Sequence, residues 1–527
     1  MSTAPPAQNA EQKGQTGPLH GPWPALTETE RRWPGPGRPA SAATLLALLI
    51  AAVVAAFSVP LDRTGAGWLV TVIAGTAALV VARAVRDEEE IAPLVRRPEP
   101  SAARDRFFWA AATIALLGVG TFRAADWLFA LCVMTATITS VLAISTGRSL
   151  RAIVAAYVIV PIAALRGLTW LRRGLTRLSS RRSNSTAVRA AGTAVVSIVL
   201  LTVFGSLFVS ADAAFAGFFD ALVPEIRVDS VFRWVFVGGV SFTLLGAAAF
   251  LRAAPPAAGD LDRTEGRKVG RWEWAVPLSL LTLLFAAFVA VQLTVLFGGS
   301  RHVVQTDGLT YAEYARSGFW QLCAVTALTL VVLAGAARWA PRTERTDRML
   351  LRYVLGALTV LTFVIVASAL HRMSVYTDMY GLTRLRLLVA ACEVWFGLIL
   401  CMVLVAGLRI HAPWLPRVAL ATGVLALLGL AAANPDGLIA ENHVQRYERT
   451  ARIDTGYLGS LSPDAVPALA ELDDAERRAC LLWAIGAATA PDESWREWNL
   501  GRQTARDLIA DHPPADAEKC ADEIYRD

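Results

Sequence analysis

Lysine is almost missing from this chain: of 50 basic residues, only Lys13, Lys268 and Lys519 are lysines, and the rest are arginines. Charge of either sign is scarce too, at 18% of 527 residues. With 55% hydrophobic residues and a mean hydropathy of +0.45, the chain falls outside the soluble globular class and inside the membrane class. The arginines sit between apolar blocks instead of along one face, so the net charge of +6 describes membrane flanks, and no nucleic-acid partner is expected. Catalytic signatures are missing as well. There is no glycine-rich phosphate loop ending in Gly-Lys-Ser/Thr, no HExxH, no paired CxxC and no GxSxG, which leaves an ATPase, a zincin or a serine hydrolase of standard type unsupported. The six histidines, His20, His302, His371, His411, His443 and His512, are scattered without metal-ligand spacing. No metal, cofactor or enzyme activity is expected.

What the chain does have is apolar runs of membrane-crossing length. A hydrocarbon core about 30 Å thick needs roughly 20 helical apolar residues. Runs of that kind extend over 43–59, 68–85, 107–122, 127–144, 190–209, 231–251, 274–297, 319–337, 353–370, 387–408 and 418–433. Tryptophans near their ends (Trp68, Trp127, Trp234, Trp274, Trp339) suit rings that prefer the headgroup region. A twelfth block, 153–165, is short, contains Pro161, and is flanked by Arg148, Arg151, Arg166, Arg172 and Arg173. If it does not cross, the arginine-rich loops collect on one side, as positive charge retained in the cytoplasm requires.

The expected architecture is therefore all-α: a polytopic transmembrane bundle of about eleven spans, or twelve if 153–165 crosses, with a small helical domain after it. Residues 1–40, rich in Pro, Gly and Ala, read as a disordered cytoplasmic tail. Residues 41–433 form the membrane region, with 150–168 interfacial or re-entrant, and residues 434–527 form an extracytoplasmic helical domain. The bilayer is the expected partner; the sequence leaves the oligomeric state open. This ordering puts the amino terminus inside a cell membrane and the carboxyl terminus outside. Cys480 and Cys520 both fall in the terminal domain and could pair in an oxidising compartment. Helix starts are expected at Ser462-Pro463, at Asp473 with Glu476, and at Ser494 with Glu497. Behind them, Leu481, Leu482, Ile485, Trp498, Leu508 and Ile509 supply apolar faces.

The candidate functional residues are polar groups in or beside the membrane. Glu393 interrupts an apolar run, and a carboxyl at that depth must be protonated, paired or facing water. Arg386 lies seven residues earlier on the same helical face, and Gln292 and Gln321 near two other span ends could complete a polar pocket. The functional alternative is a proton- or cation-linked site; the structural one is a helix–helix hydrogen bond. Three segments beside the membrane are dense in polar and aromatic residues: one around Asp212, one carrying Tyr311, Glu313, Tyr314 and Arg316, and one carrying Tyr376, Asp378, Tyr380, Arg384 and Arg386. All are expected on the outer side, either as interfacial belts or as parts of one outer surface.

These segments also carry a resemblance. LFVSADAAF, LTYAEYARSGFWQL, YTDMYGLTRLR, NPDGLIAENHVQRY and IDTGYLGSLSPDAVPAL, in that order, resemble bacterial membrane proteins catalogued as domain of unknown function 4173, with the related 4153 group behind it. The likeness implies a multi-spanning bacterial membrane protein, often actinobacterial, without catalytic residues to carry over. On this reading the role expected first is a membrane scaffold or envelope-sensing protein that binds an envelope protein partner through its terminal domain. The alternative is an ion-coupled transporter or permease built around Glu393.

Overall fold

The structure is a computed structural model and describes residues 33, 35–89, 100–144, 150–181, 193, 197, 200, 201, 204, 228–254, 270–297, 319–341, 344–409, 412, 414–486, 494–512 and 518–520. Among the described residues all regular structure is helical. The helices are α1 (Ala42–Ser58), α2 (Ala66–Glu89), α3 (Pro100–Phe122), α4 (Asp126–Ile144), α5 (Leu150–Arg181) and α6 (Val228–Ala253). They are followed by α7 (Arg271–Phe297), α8 (Phe319–Trp339), α9 (Arg345–Tyr380), α10 (Arg384–Arg409) and α11 (Leu415–Ala432).

Eight of these helices, α2, α4 and α6 to α11, are long and apolar enough to cross a bilayer, and α1 is a shorter apolar helix. The expected run 107–122 forms the apolar part of α3, whose first two turns carry Arg104, Asp105 and Arg106. The expected span 190–209 lies almost wholly outside the described residues. Leu46, Leu283, Leu284 and Val331 are all more than half exposed, and in a protein of this hydropathy such side chains face lipid.

Two helical bundles share the membrane region. In the first, the α3–α4 pair packs on α2, and α1, α2, α5 and α6 close around Leu48, Ala163, Trp170, Leu171 and Phe250. Helix α5 is one continuous 32-residue helix through Pro161, so the block at 150–168 is the first half of a longer amphipathic element. It lies against α6 at Gly167 and Gly246, where a Cβ on Gly167 would stand 2.9 Å from the Gly246 carbonyl oxygen. Small residues at such a crossing let the two backbones approach. In the second bundle, α7, α8, α9 and α10 enclose Phe285, Leu322, Leu358, Ile365 and Leu400. The buried Thr326, Thr329, Thr359 and Thr362 each return their hydroxyl to a carbonyl of their own helix, so none of these four donors is left facing hydrocarbon.

Helix α11 belongs to both bundles. It follows α10 in sequence and receives Trp395 Nε1 at the Thr422 hydroxyl, yet its Val424 and Ala431 are buried with Trp109, Leu116 and Leu128 of α3 and α4. Arg417 closes this contact with an ion pair to Asp105 at 2.5 Å.

The terminal domain begins directly after α11. Its elements are α12 (Pro435–Thr450), α13 (Thr455–Gly459), a 3-10 turn (Pro463–Ala465), α14 (Val466–Leu469), α15 (Ala475–Gly486) and α16 (Leu500–Ala510). Ile439, Leu458, Val466, Leu469, Leu481 and Ile485 form its core. Ser462-Pro463 opens the 3-10 turn, as expected. The other two starts differ. Asp474, one residue after the expected Asp473, accepts the Arg477 amide at the head of α15. Asn499 caps α16 by accepting the Arg502 amide, while 495–497 is only a turn. Trp498 is 39% exposed and lies outside the core. Cys480 and Cys520 form a disulfide across 40 residues, joining the last described turn to α15.

Candidate functional site

The first four N–H groups of a helix have no partner within it, and next to a membrane water cannot be relied on to supply one. Of the membrane helices that begin at the end of the bundle where the terminal domain sits, α2, α4 and α10 receive partners from the domain. The Ala66 and Gly67 amides at the head of α2 donate to the Trp498 and Arg496 carbonyls, both at 2.9 Å. The Ala124 and Ala125 amides at the head of α4 donate to Asp464 Oδ2 at 2.7 and 3.1 Å. At the head of α10, the Leu382 amide donates to Asn442 Oδ1 at 3.0 Å and the Arg384 amide to the Tyr457 hydroxyl at 2.8 Å.

Carbonyls at helix C-termini and in the α1–α2 turn meet donors in the same zone. Asn499 Nδ2 donates to Gly120 O at 2.7 Å, Arg502 Nη2 to Thr64 O at 2.5 Å, and Arg446 Nη2 to Met379 O at 2.9 Å. Arg123 reaches back to the Ala431 and Ala432 carbonyls at the end of α11, where a cation complements the helix dipole.

Asp436 is the centre of this latch. Asn434 adopts a left-handed conformation (φ 55°) and caps α12, Pro435 takes its first position, and Asp436 is thereby set in the first turn, fully buried. One carboxyl then accepts four donors: Arg384 Nε at 3.0 Å, Arg384 Nη2 at 2.6 Å, Trp127 Nε1 at 3.1 Å and the Ser462 amide at 2.9 Å. These donors come from α4, α10 and the terminal domain itself. Burial raises the Asp436 pKa, but the Arg384 hydrogen bonds and charge and the Ser462 amide outweigh it and hold the carboxyl below the usual range. The neighbouring Asp464 goes the other way. Burial pushes it up to about 6, the Asp436 charge adds to the rise, and the Ala124 amide and Arg123 charge offset only part.

His443 completes the contact with α10. Its Nε2 lies 2.9 Å from the Leu382 carbonyl, which requires the proton on that nitrogen. Burial lowers its pKa, favouring the neutral ring. Gly381 (φ 79°) packs on the face of this ring, so close that a Cβ would lie 2.5 Å from Cε1; only glycine suits both the dihedral and the space.

The sequence-derived candidates separate into three groups. Arg384 belongs to the latch. Arg386 donates to the Gly381 carbonyl and stacks over the Tyr376 ring at 4.2 Å; together with Phe319, Trp320, Met373 and Thr383 they line a cavity of about 200 Å³. Tyr380 stands 5.0 Å from Tyr376, and both Tyr380 and Asp378 are exposed. Glu393 is separate. It is 1% exposed inside the second bundle, and neither carboxyl oxygen makes a hydrogen bond. The Cys323 thiol and Thr326 hydroxyl of α8 stand beside it, and the Thr326 hydroxyl donates to the Leu322 carbonyl of its own helix. Arg386 is turned to Gly381 and Gln321 is exposed, so neither pairs with it. Asp212, Tyr311, Glu313, Tyr314 and Arg316 lie outside the described residues.

Asp436, Asp464, Asn499 and Arg502 carry the latch and were not singled out from the sequence. Asn434-Pro435 reads there only as a turn, although an aspartate between Pro and Gly where a membrane span ends is a usable signal for a buried polar anchor.

A family model described as Domain of unknown function (DUF4153) matches residues 111–472. That match covers more than two thirds of the chain, and the chain belongs to this family of membrane-helix character; the match does not extend to the 4173 group. No curated protein and no solved structure matches the chain. The matched region ends at Leu472, just past Asp464, and takes in Asp436, Arg384 and Asp464 while leaving Asn499 and Arg502 beyond it.

The two aspartates should respond oppositely to change. Removing one partner of a buried, hydrogen-bonded ion pair costs about 3–5 kcal/mol. Asp436→Ala should therefore free the terminal domain, read as lost hydrogen-exchange protection at Ala124, Ala125, Arg384 and Ser462. Unchanged protection would refute the latch. For Asp464 the docked pKa lies above the ordinary carboxylate value, so the docked state binds the extra proton and is strengthened as pH falls from about 6 towards 4. The full effect is on the order of 3 kcal/mol. Asp436, with its lowered pKa, contributes stability that is lost only below the ordinary carboxylate range. The lowered pKa of His443 works against docking as pH falls below its ordinary value, so the comparison must be with Asp464→Asn, in which His443 is unchanged. Wild type should gain on this variant in unfolding midpoint as pH falls from about 7.5 to about 4.5; a constant difference would show that Asp464 is already ionised or already solvated when docked.

Proposed function

We propose that this protein is a multi-pass membrane scaffold with an envelope-sensing domain, in which the latch transmits the state of the terminal domain to two helix bundles. One observation carries the reading: a single folded domain holds the turn 64–67 and the turn 120–125 of the first bundle together with the turn 379–384 of the second. Transport by alternating access rocks one bundle against the other, and a tie across both at one end resists that motion. A scaffold needs such a tie, and a sensor needs a tie whose strength its surroundings change. Distances between spin labels at Leu175→Cys and Met349→Cys, both exposed positions in different bundles, test this in a background without the four free cysteines. The expected result is one narrow distribution, which broadens when Asp436→Ala is added. Two exchanging distances in the intact protein would contradict the scaffold reading.

A second reading rests on Glu393. A fully buried carboxyl without a hydrogen-bond partner between membrane helices is a candidate site for a coupling proton or cation. On this reading, proteoliposomes should show a cation or proton flux that Glu393→Gln abolishes. Flux that survives the substitution, or no flux in the intact protein, removes it.

Eleven crossings with the carboxyl terminus outside fit the same geometry. The turns 120–125 and 379–384 meet one domain, so an even number of crossings separates them. Helices α4, α6, α7, α8 and α9 account for five, which leaves one for 150–181 and 190–209 together. The amphipathic character of α5 and its arginines favour 190–209 as the span. The Cys480–Cys520 disulfide suits an oxidising outer compartment. An impermeant maleimide should label Asp378→Cys on intact cells; labelling only after lysis would reverse the orientation.

A further inference from the structure

The opposite end of the first bundle carries a second polar site. The chain before α1 returns over the ends of α5 and α6: Trp33 Nε1 donates to Ala254 O at 2.8 Å, and Trp170 Nε1 to Arg38 O at 2.9 Å. Between these strands of chain lies a cavity of about 240 Å³ lined by Gly35, Pro36, Arg166, Thr169, Trp170, Arg173 and Phe250. Among the described residues that line it, two are arginines and none is acidic. Arg166 is held by aromatic faces, its guanidinium carbon 5.1 Å from the Trp33 ring and 5.4 Å from the Phe250 ring. This stacking fixes the group without consuming its donors, and Nη1 is buried with no hydrogen-bond partner. A buried charged donor left unmatched is costly unless something else binds it.

The surroundings indicate what that is. Gly167, Trp170, Leu171 and Gly174 of α5 face the protein, while Leu165, Leu168 and Leu175 are exposed by 64%, 40% and 56%. Arginines and exposed leucines on one helix, with the remaining face packed on a bundle, place that helix at the lipid boundary, its charges at headgroup level. A planar, fixed guanidinium with a second arginine beside it suits a tetrahedral oxyanion carrying more than one acceptor. We propose that this cavity binds a phosphate group, presented by the headgroup of an anionic phospholipid in the leaflet opposite the terminal domain. The Arg166 guanidinium and Arg173 would hold the phosphate oxygens, and the acyl chains would run along Leu165 and Leu168.

Purified full-length protein, delipidated in mild detergent, tests this by native mass spectrometry and thermal unfolding. The additions are phosphatidylglycerol, phosphatidylcholine, glycerol 3-phosphate and inorganic phosphate. The expected result is retention of one phosphatidylglycerol and a raised unfolding midpoint, neither given by phosphatidylcholine. Retention should fall on the order of tenfold or more in Arg166→Gln/Arg173→Gln, and should be unchanged in Arg172→Gln, which alters the same helix outside the cavity. Equal protection by inorganic phosphate or glycerol 3-phosphate would uphold the phosphate site and overturn the lipid as its source. Equal retention of phosphatidylglycerol by the double variant would overturn the site itself. If the double variant does not fold, Arg173→Gln, at an exposed position, carries the same comparison.

Discussion

Backbone amides at the heads of membrane helices must find partners, and the rest of this structure is arranged around that need. At one end of the bundle the heads of α2, α4 and α10 carry N–H groups that their own turns cannot satisfy. In a soluble protein a local serine or aspartate would cap each. Here the caps come from a domain 73 to 340 residues away in sequence: Asp464 reaches the amides of Ala124 and Ala125, and the Tyr457 hydroxyl reaches that of Arg384. Because each cap joins distant parts of the chain, satisfying the amides and fixing the tertiary structure are one event. The terminal domain is thus part of the membrane fold, although it lies beyond the last span.

The charge pattern within the latch follows from this. A carboxylate is the natural partner for helix-head amides, but two carboxylates in one buried site repel. The pair divides its roles by environment. Asp436 receives the Arg384 guanidinium and remains ionised; Asp464 receives only neutral amides and a hydroxyl, with Asp436 nearby, and is pushed up to about 6. One member is a constant anchor and the other is sensitive to mild acidity. A docking surface of this kind changes strength with the pH of the compartment it faces, without any moving lid or bound cofactor.

Much of the membrane region was legible because hydrocarbon imposes a length and composition that survive any detail of packing. The runs at 127–144, 231–251 and 387–408 needed no tertiary information. The site was far less legible. Trp127 looks like an ordinary interfacial ring, and only the approach of α12 makes it a donor to Asp436. Arg386 and Glu393 share a helical face by spacing, but the Gly381 carbonyl and Tyr376 ring, brought close by the turn from α9, take Arg386 away. The expected box at Ser494 and Glu497 fails for a related reason: the carbonyls of Arg496 and Trp498 serve α2, and the helix starts later, at Asn499. In each case a local rule gave way to a partner from another part of the chain.

The two ends of the first bundle are built on opposite principles. At the terminal-domain end the anchoring groups are paired: Asp436 meets four donors, Arg502 two carbonyls, and Arg384 a carboxylate. Such pairing stabilises and orients. At the other end Arg166 is positioned by aromatic rings that offer no hydrogen-bond acceptor, so its orientation is set while a donor stays free. Both ends rest on the same helix: α1 begins beside the arginine cavity, with Ala40 against Gly174 of α5, and ends at the turn whose Thr64 carbonyl Arg502 holds. Seventeen residues of helix, about 25 Å at 1.5 Å per residue, therefore connect the latch to an unpartnered donor at the other end of the bundle. A rigid element held at both ends ties the two polar sites into one structure.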